Sequence, residues 1–245
     1  MTKKTLVPAL AAAALTLLPP ALAQAQEAQA PVRSATADLD GDGKKEPLSL
    51  EWKNGDAQFV LKAGGATLRG DAKDSEVSGF VIVDLDSGDK WKELAVSTGM
   101  TDSDHQVFLY GFDGKSLKPL GSVRNLTEAR GNGIILSDEW GGFWTRREKY
   151  VLDRKAWKLN AVPQDLYYVG REATVKQSFP LQRNPTSKDV IANVAQGSKI
   201  EVLAAAPSTR KGERYWYLVK STTGLLGWTR EEALVQHTEG LPSAG

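Results

Sequence analysis

The sequence predicts an all-β protein in two parts, an antiparallel sandwich or partial propeller-like domain followed by a small barrel. Short runs of alternating apolar and polar residues predict half-buried strands, because successive side chains of a strand point to opposite faces. Turn-forming pairs separate these runs, as at Asn54-Gly55, Gly64-Gly65 and Asp113-Gly114. The first part shows no apolar repeat with helical spacing over a useful length. We therefore expect hairpins there rather than helices.

Residues 1–25 have the pattern of a secretory signal peptide. Lys3 and Lys4 precede an apolar run from Leu6 to Leu18, and small residues follow before a cleavage site. The apolar run is interrupted by Pro8 and is too short to cross a bilayer. We expect an exported protein, periplasmic or extracellular, without a transmembrane segment.

The mature chain is expected to be nearly neutral. The full sequence has 31 basic and 30 acidic residues, and loss of Lys3 and Lys4 leaves 29 basic residues against the same 30 acidic ones. Nucleic acid and anionic membrane surfaces are therefore not expected as partners, because both attract strongly basic surfaces. The sequence has no cysteine, which excludes disulfides and thiol catalysis.

The first domain is expected to span residues 35–162, after a flexible leader at 26–34 that is rich in Gln, Ala and Pro. A change in composition at 160–164 predicts a linker to the second part. The β-patterned runs of the first domain are Gln58–Lys62, Gly79–Asp84, Glu93–Ser97, Gln106–Phe112, Gly133–Leu136 and Arg147–Leu152.

The acidic segment from residue 38 to residue 46 has the spacing of a calcium-binding loop. Carboxylates at every second position, followed by Gly43 for a sharp turn, place several oxygen atoms around a hard cation. A Gly/Asp turn that needs no metal is the alternative. The predicted ligands of a structural calcium ion are Asp38, Asp40, Asp42, the carbonyl of Lys44, and Glu46.

An EF-hand is not expected here. Ser49 stands where that loop carries a bidentate Glu, and Pro47 opens an alternating strand pattern. The segment resembles instead the calcium loops of FG-GAP and VCBS repeats, of the form D-x-D-G-D-G-x-x-D, with Glu46 in place of the last Asp. That resemblance implies loops between propeller strands. A closed propeller needs at least four blades of about 40 residues, so a sandwich or partial stack is expected in the length available.

A second acidic turn at 84–93 reads as a degraded copy of the first. Gly88 stands where the third carboxylate is expected, and the acids after it are out of step. The turn either binds a second ion or is held by hydrogen bonds, and we predict hydrogen bonds. Its acidic residues are Asp84, Asp86, Asp89 and Glu93.

Residues 165–237 have the pattern of five short strands with Gly turns, enough for a small barrel. This stretch resembles the bacterial SH3 (SH3b) family. Pro180–Pro185 matches the LR-x-x-P segment of that family, and Val190–Leu203 matches the run that follows. Trp216–Lys220 and Gly224–Thr229 match its W-x-x-V and G-x-x-G-W ending. The whole layout is similar to exported bacterial proteins that join a VCBS-like region to one SH3b domain.

Four aromatic residues of this stretch are the predicted ligand-binding residues: Tyr215, Trp216, Tyr217 and Trp228. Their rings bury a large area at a small cost in entropy. We expect at least one of Tyr215 and Tyr217 to be exposed, whereas a place in the core is the alternative for Trp228. The SH3b resemblance implies cell-wall peptide or glycan, or another envelope protein, as the partner. Residues 238–245 are expected to form a disordered tail.

We expect a non-catalytic binding protein. His105 and His237 are the only histidines, too few for a zinc peptidase, and the sequence has no G-x-S-x-G elbow. His105 and the nearby Ser103 are expected in an exposed polar turn. The Trp-rich segment 137–144 predicts a hydrophobic plug rather than a sugar-binding surface. The alternative function is a cell-envelope glycoside hydrolase that uses paired carboxylates.

Overall fold

The computed structural model describes residues 30–53, 58–72, 75–99, 101 and 104–243. Within these ranges the regular structure is antiparallel β, apart from one short helix, which confirms the predicted all-β class. The predicted signal peptide lies outside the described residues. Nowhere in the described ranges does a helix combine the length and the apolar character that crossing a membrane requires.

Three four-stranded sheets follow one another in the first part of the chain, and each is a meander of consecutive antiparallel strands. Sheet 1 contains β1 (Ser34–Ala37), β2 (Glu46–Trp52), β3 (Gln58–Ala63) and β4 (Ala66–Asp71). Sheet 2 contains β5 (Val77–Val83), β6 (Glu93–Thr98), β7 (Gln106–Phe112) and β8 (Leu117–Val123). Sheet 3 contains β9 (Glu128–Ala129), β10 (Ile134–Trp140), β11 (Thr145–Asp153) and β12 (Lys158–Val162).

Sheet 2 is apolar on both faces, and this places it between its two neighbours. Leu94 and Val96 join an apolar cluster shared with sheet 1, whereas Ala95 between them joins a cluster shared with sheet 3. Strand alternation sends these neighbours to opposite faces, so β6 is buried along almost its whole length. Three sheets stacked in series correspond to the propeller-like alternative and not to a sandwich of two sheets.

The expected flexible leader is ordered in its described end. Val32 and Phe80 exchange two backbone hydrogen bonds of 2.9 Å, which attach the leader to sheet 2. The carbonyl of Arg33 accepts a hydrogen bond from the N–H of Leu50, and its guanidinium lies 3.8 Å from the ring centre of Trp52. The expectation of a flexible leader is therefore wrong for residues 32–34, because backbone pairing and a cation–π contact hold them.

The second part of the chain is a seven-stranded sheet that surrounds one apolar cluster. The strand order is β15-β14-β18-β17-β16-β13-β19, and irregular pairing in β13 and β16 marks bulges that bend the sheet. Its elements are β13 (Tyr167–Val175), β14 (Phe179–Gln182), β15 (Val190–Val194), β16 (Lys199–Pro207), β17 (Tyr215–Ser221), β18 (Leu226–Arg230), α1 (Glu231–His237) and β19 (Thr238–Glu239).

The start of the expected disordered tail is part of this sheet. Thr238 and Glu239 form β19 and pair with Val175 and Thr174 of β13. Thr238 is buried, and its hydroxyl donates a 2.7 Å hydrogen bond to the carbonyl of Leu234 in α1. The expectation of disorder is wrong here, because burial and strand pairing fix these residues. It was based on polar composition alone.

The two parts share a core, although the sequence places a boundary between them. Phe143 and Trp144, in the turn between β10 and β11, belong to the apolar cluster of the second part. The indole N–H of Trp144 donates to the hydroxyl of Tyr217 over 3.2 Å, and Arg146 donates to the hydroxyl of Tyr215 over 2.8 Å. The plug expected from segment 137–144 is present, and it fills the second domain rather than the first. The linker is also shorter than the predicted range 160–164, because Lys158–Val162 form β12.

Candidate functional site

The predicted calcium loop brings four carboxylates together at the start of sheet 1. One oxygen atom from each of Asp38, Asp40, Asp42 and Glu46 lies within 4.8 Å of the others. The loop joins the end of β1 to the start of β2. This cluster is able to hold a metal ion, and the predicted side-chain ligands are the residues that form it.

Backbone hydrogen bonds shape this loop from within. The two oxygens of Asp38 accept the N–H groups of Gly41 and Gly43, at 2.7 and 2.9 Å. Asp40 accepts the N–H of Asp42 at 3.0 Å, and Asp42 accepts the N–H of Lys44 at 2.8 Å. Gly43 has a φ of +87°, a conformation that residues with a side chain rarely adopt. The backbone of the loop therefore wraps around its own carboxylate groups.

The negative charge of the first loop is only partly balanced by the protein's own cations. Lys44 lies 3.8 Å from Asp42, and its side chain is 86% exposed. Among the residues that the structure describes, no other ion pair reaches the four carboxylates. Four close negative charges repel one another when only one solvated ammonium group balances them. Carboxylate oxygens are also the ligands that hard divalent cations prefer, so the four acids fit an ion of this class.

The second acidic turn repeats three hydrogen bonds of the first, whereas Oδ1 of Asp84, at the place of Asp38, is buried without a hydrogen-bond partner among the described residues. Asp86 accepts the N–H of Gly88 at 3.1 Å, and Asp89 accepts the N–H of Trp91 at 2.8 Å. Glu93 accepts the N–H of Leu85 at 3.0 Å, as Glu46 accepts that of Leu39 at 2.9 Å. The expectation that the later acids are out of step is therefore wrong. The second loop has one extra residue before Asp89, and from Asp89 onward its acids take the places of their counterparts in the first loop. The turn is held by hydrogen bonds, as predicted.

Arg154 supplies the cation of the second loop. Its Nε donates to Asp89 over 2.9 Å and another of its nitrogens donates to Glu93. Its guanidinium also lies beside two indole rings, 5.2 Å from the centre of Trp91 and 5.0 Å from that of Trp157. Burial raises the pKa of Glu93 above its usual range, and the hydrogen bond and charge of Arg154 oppose that rise. The second loop thus pairs with a largely buried protein cation, whereas only the exposed Lys44 approaches the first.

Each loop connects neighbouring sheets in the same way. The carbonyl of Leu39 accepts the N–H of Lys92, just before β6, at 2.9 Å. The carbonyl of Leu85 accepts the N–H of Gly133, just before β10, at 2.8 Å. Both leucines are fully buried. The first loop therefore stabilises the junction of sheets 1 and 2, and the second stabilises the junction of sheets 2 and 3.

A test of the first loop comes from Gly114, which faces Asp40. A Cβ atom at Gly114 would lie 2.6 Å from Oδ2 of Asp40, so Gly114→Ala should displace that carboxylate and weaken calcium binding about tenfold or more. The control is Gly197→Ala, since Gly197 has a similar φ of +80° with open space around it. It should cost backbone strain of about 1 kcal/mol without changing calcium affinity. Equal calcium affinity of the two variants in calorimetric titration would contradict this role of Asp40.

The predicted aromatic ligand site is divided between two faces of the second domain. Tyr215 and Tyr217 lie two residues apart on β17 and so share the inner face, where both are buried against Trp144. The expectation that one of them is exposed is therefore wrong. Trp216 points outward, but it is only 3% exposed because Arg230 lies over its ring, at 5.5 Å from the centre.

Trp228 lies on the outer face and is half-buried. Strand pairing continues this position across the sheet. Trp228 pairs with Leu218, Leu218 pairs with Ala204, and Ala204 pairs with Tyr168. These residues form one row across four strands, and we call it the outer aromatic row: Tyr168, Ala204, Leu218 and Trp228. Tyr168 is 79% exposed, and its ring lies over Gly170. A Cβ atom at position 170 would clash with the phenol ring of Tyr168. Sequence analysis missed Tyr168, although its position in a strand was a usable signal.

The remaining candidates lie elsewhere. His105 places Nδ1 at 2.8 Å from the carbonyl oxygen of Arg124, while Ser103 lies outside the described residues. Two carboxylates, those of Glu139 and Glu148, both contact Arg146. This guanidinium therefore bridges the two carboxylates.

Comparisons with protein-family models, curated protein sequences and solved structures found no match to this chain.

Proposed function

We propose that this chain is a non-catalytic, exported binding protein of the bacterial cell envelope. Its first domain is a stack of sheets stabilised by one calcium ion, and its second domain, similar to SH3b, contacts cell-wall peptide or glycan. The observation that carries this proposal is the contrast between the two acidic loops. The loops share three hydrogen bonds, yet Arg154 pairs with two acids of the second loop, whereas only the exposed Lys44 approaches the four acids of the first, which are open to an external cation.

Calcium fits the first loop better than magnesium does. The loop offers four carboxylates and the carbonyl of Lys44, and calcium accepts six to eight oxygens in variable geometry. Magnesium demands a stricter octahedron and retains several waters. The role of the ion is structural, because the loop joins sheets 1 and 2 through Leu39.

The outer aromatic row supports binding by the second domain. Neighbouring strands are about 4.8 Å apart, so Tyr168 and Trp228 are separated by roughly 14 Å across the sheet. Rings that present a face to solvent stack on sugar rings and on apolar peptide groups. Because the mature chain is nearly neutral, contact area rather than charge should dominate, and binding should depend weakly on salt.

Co-sedimentation with purified sacculi tests the proposal. Trp228→Ala and Tyr168→Ala should each weaken retention in the pellet, since loss of an aromatic hot spot costs about 2 kcal/mol, roughly thirtyfold in affinity. Trp52→Ala is the control, because Trp52 is likewise half-buried but lies in sheet 1.

Retention of both variants at the level of the parent protein would overturn the proposal. Release of soluble muropeptides, assayed in the same tubes, would favour the glycoside hydrolase alternative instead.

A further inference from the structure

A groove of about 620 Å³ lies where the two parts of the chain meet. One wall is the turn at Gly142 and Phe143 of sheet 3, and the other walls come from α1 and from the segment after it. This volume lies within the range of about 300–1,000 Å³ that is typical of ligand sites. The groove is separate from the calcium loop and from the outer aromatic row.

The lining of the groove is acidic. Four glutamates, Glu213, Glu231, Glu232 and Glu239, face a single arginine, Arg214. Arg214 is paired with Glu231, at 2.7 Å, and Glu213 is paired with Arg210 and Arg230, so Glu232 and Glu239 give the groove its negative charge. Glu232 and Glu239 are exposed and form no ion pair within the described ranges.

Glu213 adds no unbalanced charge to the groove. Its Oε1 lies 3.6 Å from Arg230 and 3.7 Å from Arg210, so two guanidinium groups balance its charge. Its Oε2 is buried without a hydrogen-bond partner in the described part of the chain, and a buried atom is closed to a ligand.

Apolar side chains lie beside these acids. Phe143 is nearly buried, whereas Val235 in α1 is 53% exposed, and Leu241 and Pro242 complete the apolar part of the lining. A ligand that matches this groove therefore carries a positive group next to an apolar group. A neutral glycan supplies no positive charge, and an anionic one is repelled.

We propose that the groove binds a short peptide segment that carries a lysine-type ammonium group next to an apolar side chain. The inference concerns a different site from the outer aromatic row, and it deepens the proposed function by naming a cationic peptide as a partner. It rests on that proposed function only for its context in the cell envelope.

Fluorescence anisotropy with the full mature chain tests this inference. The probe is a labelled acetyl-Ala-Leu-Lys-Ala-Leu-Lys amide, and the comparison probe is the same peptide with both lysines acetylated. The lysine peptide should bind at least about tenfold more tightly, and added salt should weaken it. The double variant Glu232→Gln and Glu239→Gln should lose at least about tenfold in affinity, while its thermal unfolding stays unchanged because both residues are exposed.

The control is the double variant Glu51→Gln and Glu76→Gln, which changes the net charge equally at exposed positions of the first domain. It should bind like the parent. Equal binding of the two peptides, an equal loss in the control, or no binding by the parent would overturn the inference. If the protein is retained on sacculi but does not bind the lysine peptide, only this inference is overturned. If the protein binds the lysine peptide but is not retained on sacculi, only the proposed role of the outer aromatic row is overturned.

Discussion

Replacement of Trp144 by alanine should lower the free energy of unfolding by about 3–5 kcal/mol, the range for large aromatic residues removed from a core. Trp144 is fully buried and contacts Tyr215, Tyr217 and Tyr167. Its loss also leaves the buried hydroxyl of Tyr217 without the indole N–H. Because Trp144 comes from sheet 3 but fills the second domain, its removal should uncouple the unfolding of the two parts.

Differential scanning calorimetry measures this effect. The parent should show one main transition, and Trp144→Ala should show two, with the lower one from the second domain. Tyr168→Ala is the control, because Tyr168 is 79% exposed and its loss should change stability by less than about 0.5 kcal/mol. A single transition at an unchanged midpoint in Trp144→Ala would contradict this role of Trp144.

Arg154→Met should destabilise the protein by about 3–5 kcal/mol, because it leaves a buried charge without its partner. Glu93 is fully buried, and Arg154 is 16% exposed. The side chain of methionine keeps much of the contact with Trp91 and Trp157, so the loss should come mainly from the charge of Glu93. The added substitution Glu93→Gln removes that charge and should recover at least half of the lost stability.

The deficit of Arg154→Met should also depend on pH. Without Arg154, only the hydrogen bond from Leu85 opposes burial, so the pKa of Glu93 in the folded state should lie further above that in the unfolded state. The folded state then binds more protons, and stability falls as pH rises through this interval. Urea unfolding should therefore show a smaller deficit at pH 5 than at pH 7. A deficit that is equal at both pH values, and unchanged by Glu93→Gln, would contradict this account of the second loop.

The sequence predicted the strands whose pattern is local and strong. The runs around β6 and β7 were found because their apolar residues are continuous or alternate clearly. β4 was missed because it has few apolar residues and lies at the edge of sheet 1. The sequence places the start of a linker within β12, because Pro163 follows this strand and its apolar pattern is weak.

The two acidic loops also show that the sequence predicts contacts between neighbouring residues better than contacts between distant ones. Asp38 to Glu46 are contiguous, so their spacing alone predicts that the carboxylates converge. Arg154 is 61 residues from Glu93 in the chain, and only the packing of sheet 3 on sheet 2 brings them together. The extra residue before Asp89 was visible in the sequence, but only the hydrogen bonds show that the register returns after it.

Two errors about the second domain have different causes. Tyr215 and Tyr217 are two residues apart, so strand alternation places them on one face, and correct use of that period would have predicted their common burial. The burial of Thr238 has no such local signal. It depends on pairing with β13, which is distant in sequence.

Calorimetric titration of calcium into the parent protein and two single variants tests the central claim most directly. Asp40→Asn changes the first loop, and Asp86→Asn makes the equivalent change in the loop that Arg154 occupies. The account predicts one calcium site in the parent, strong loss of binding in Asp40→Asn, and unchanged binding in Asp86→Asn. No calcium-dependent heat in the parent, or equal binding by the parent and Asp40→Asn, would contradict it.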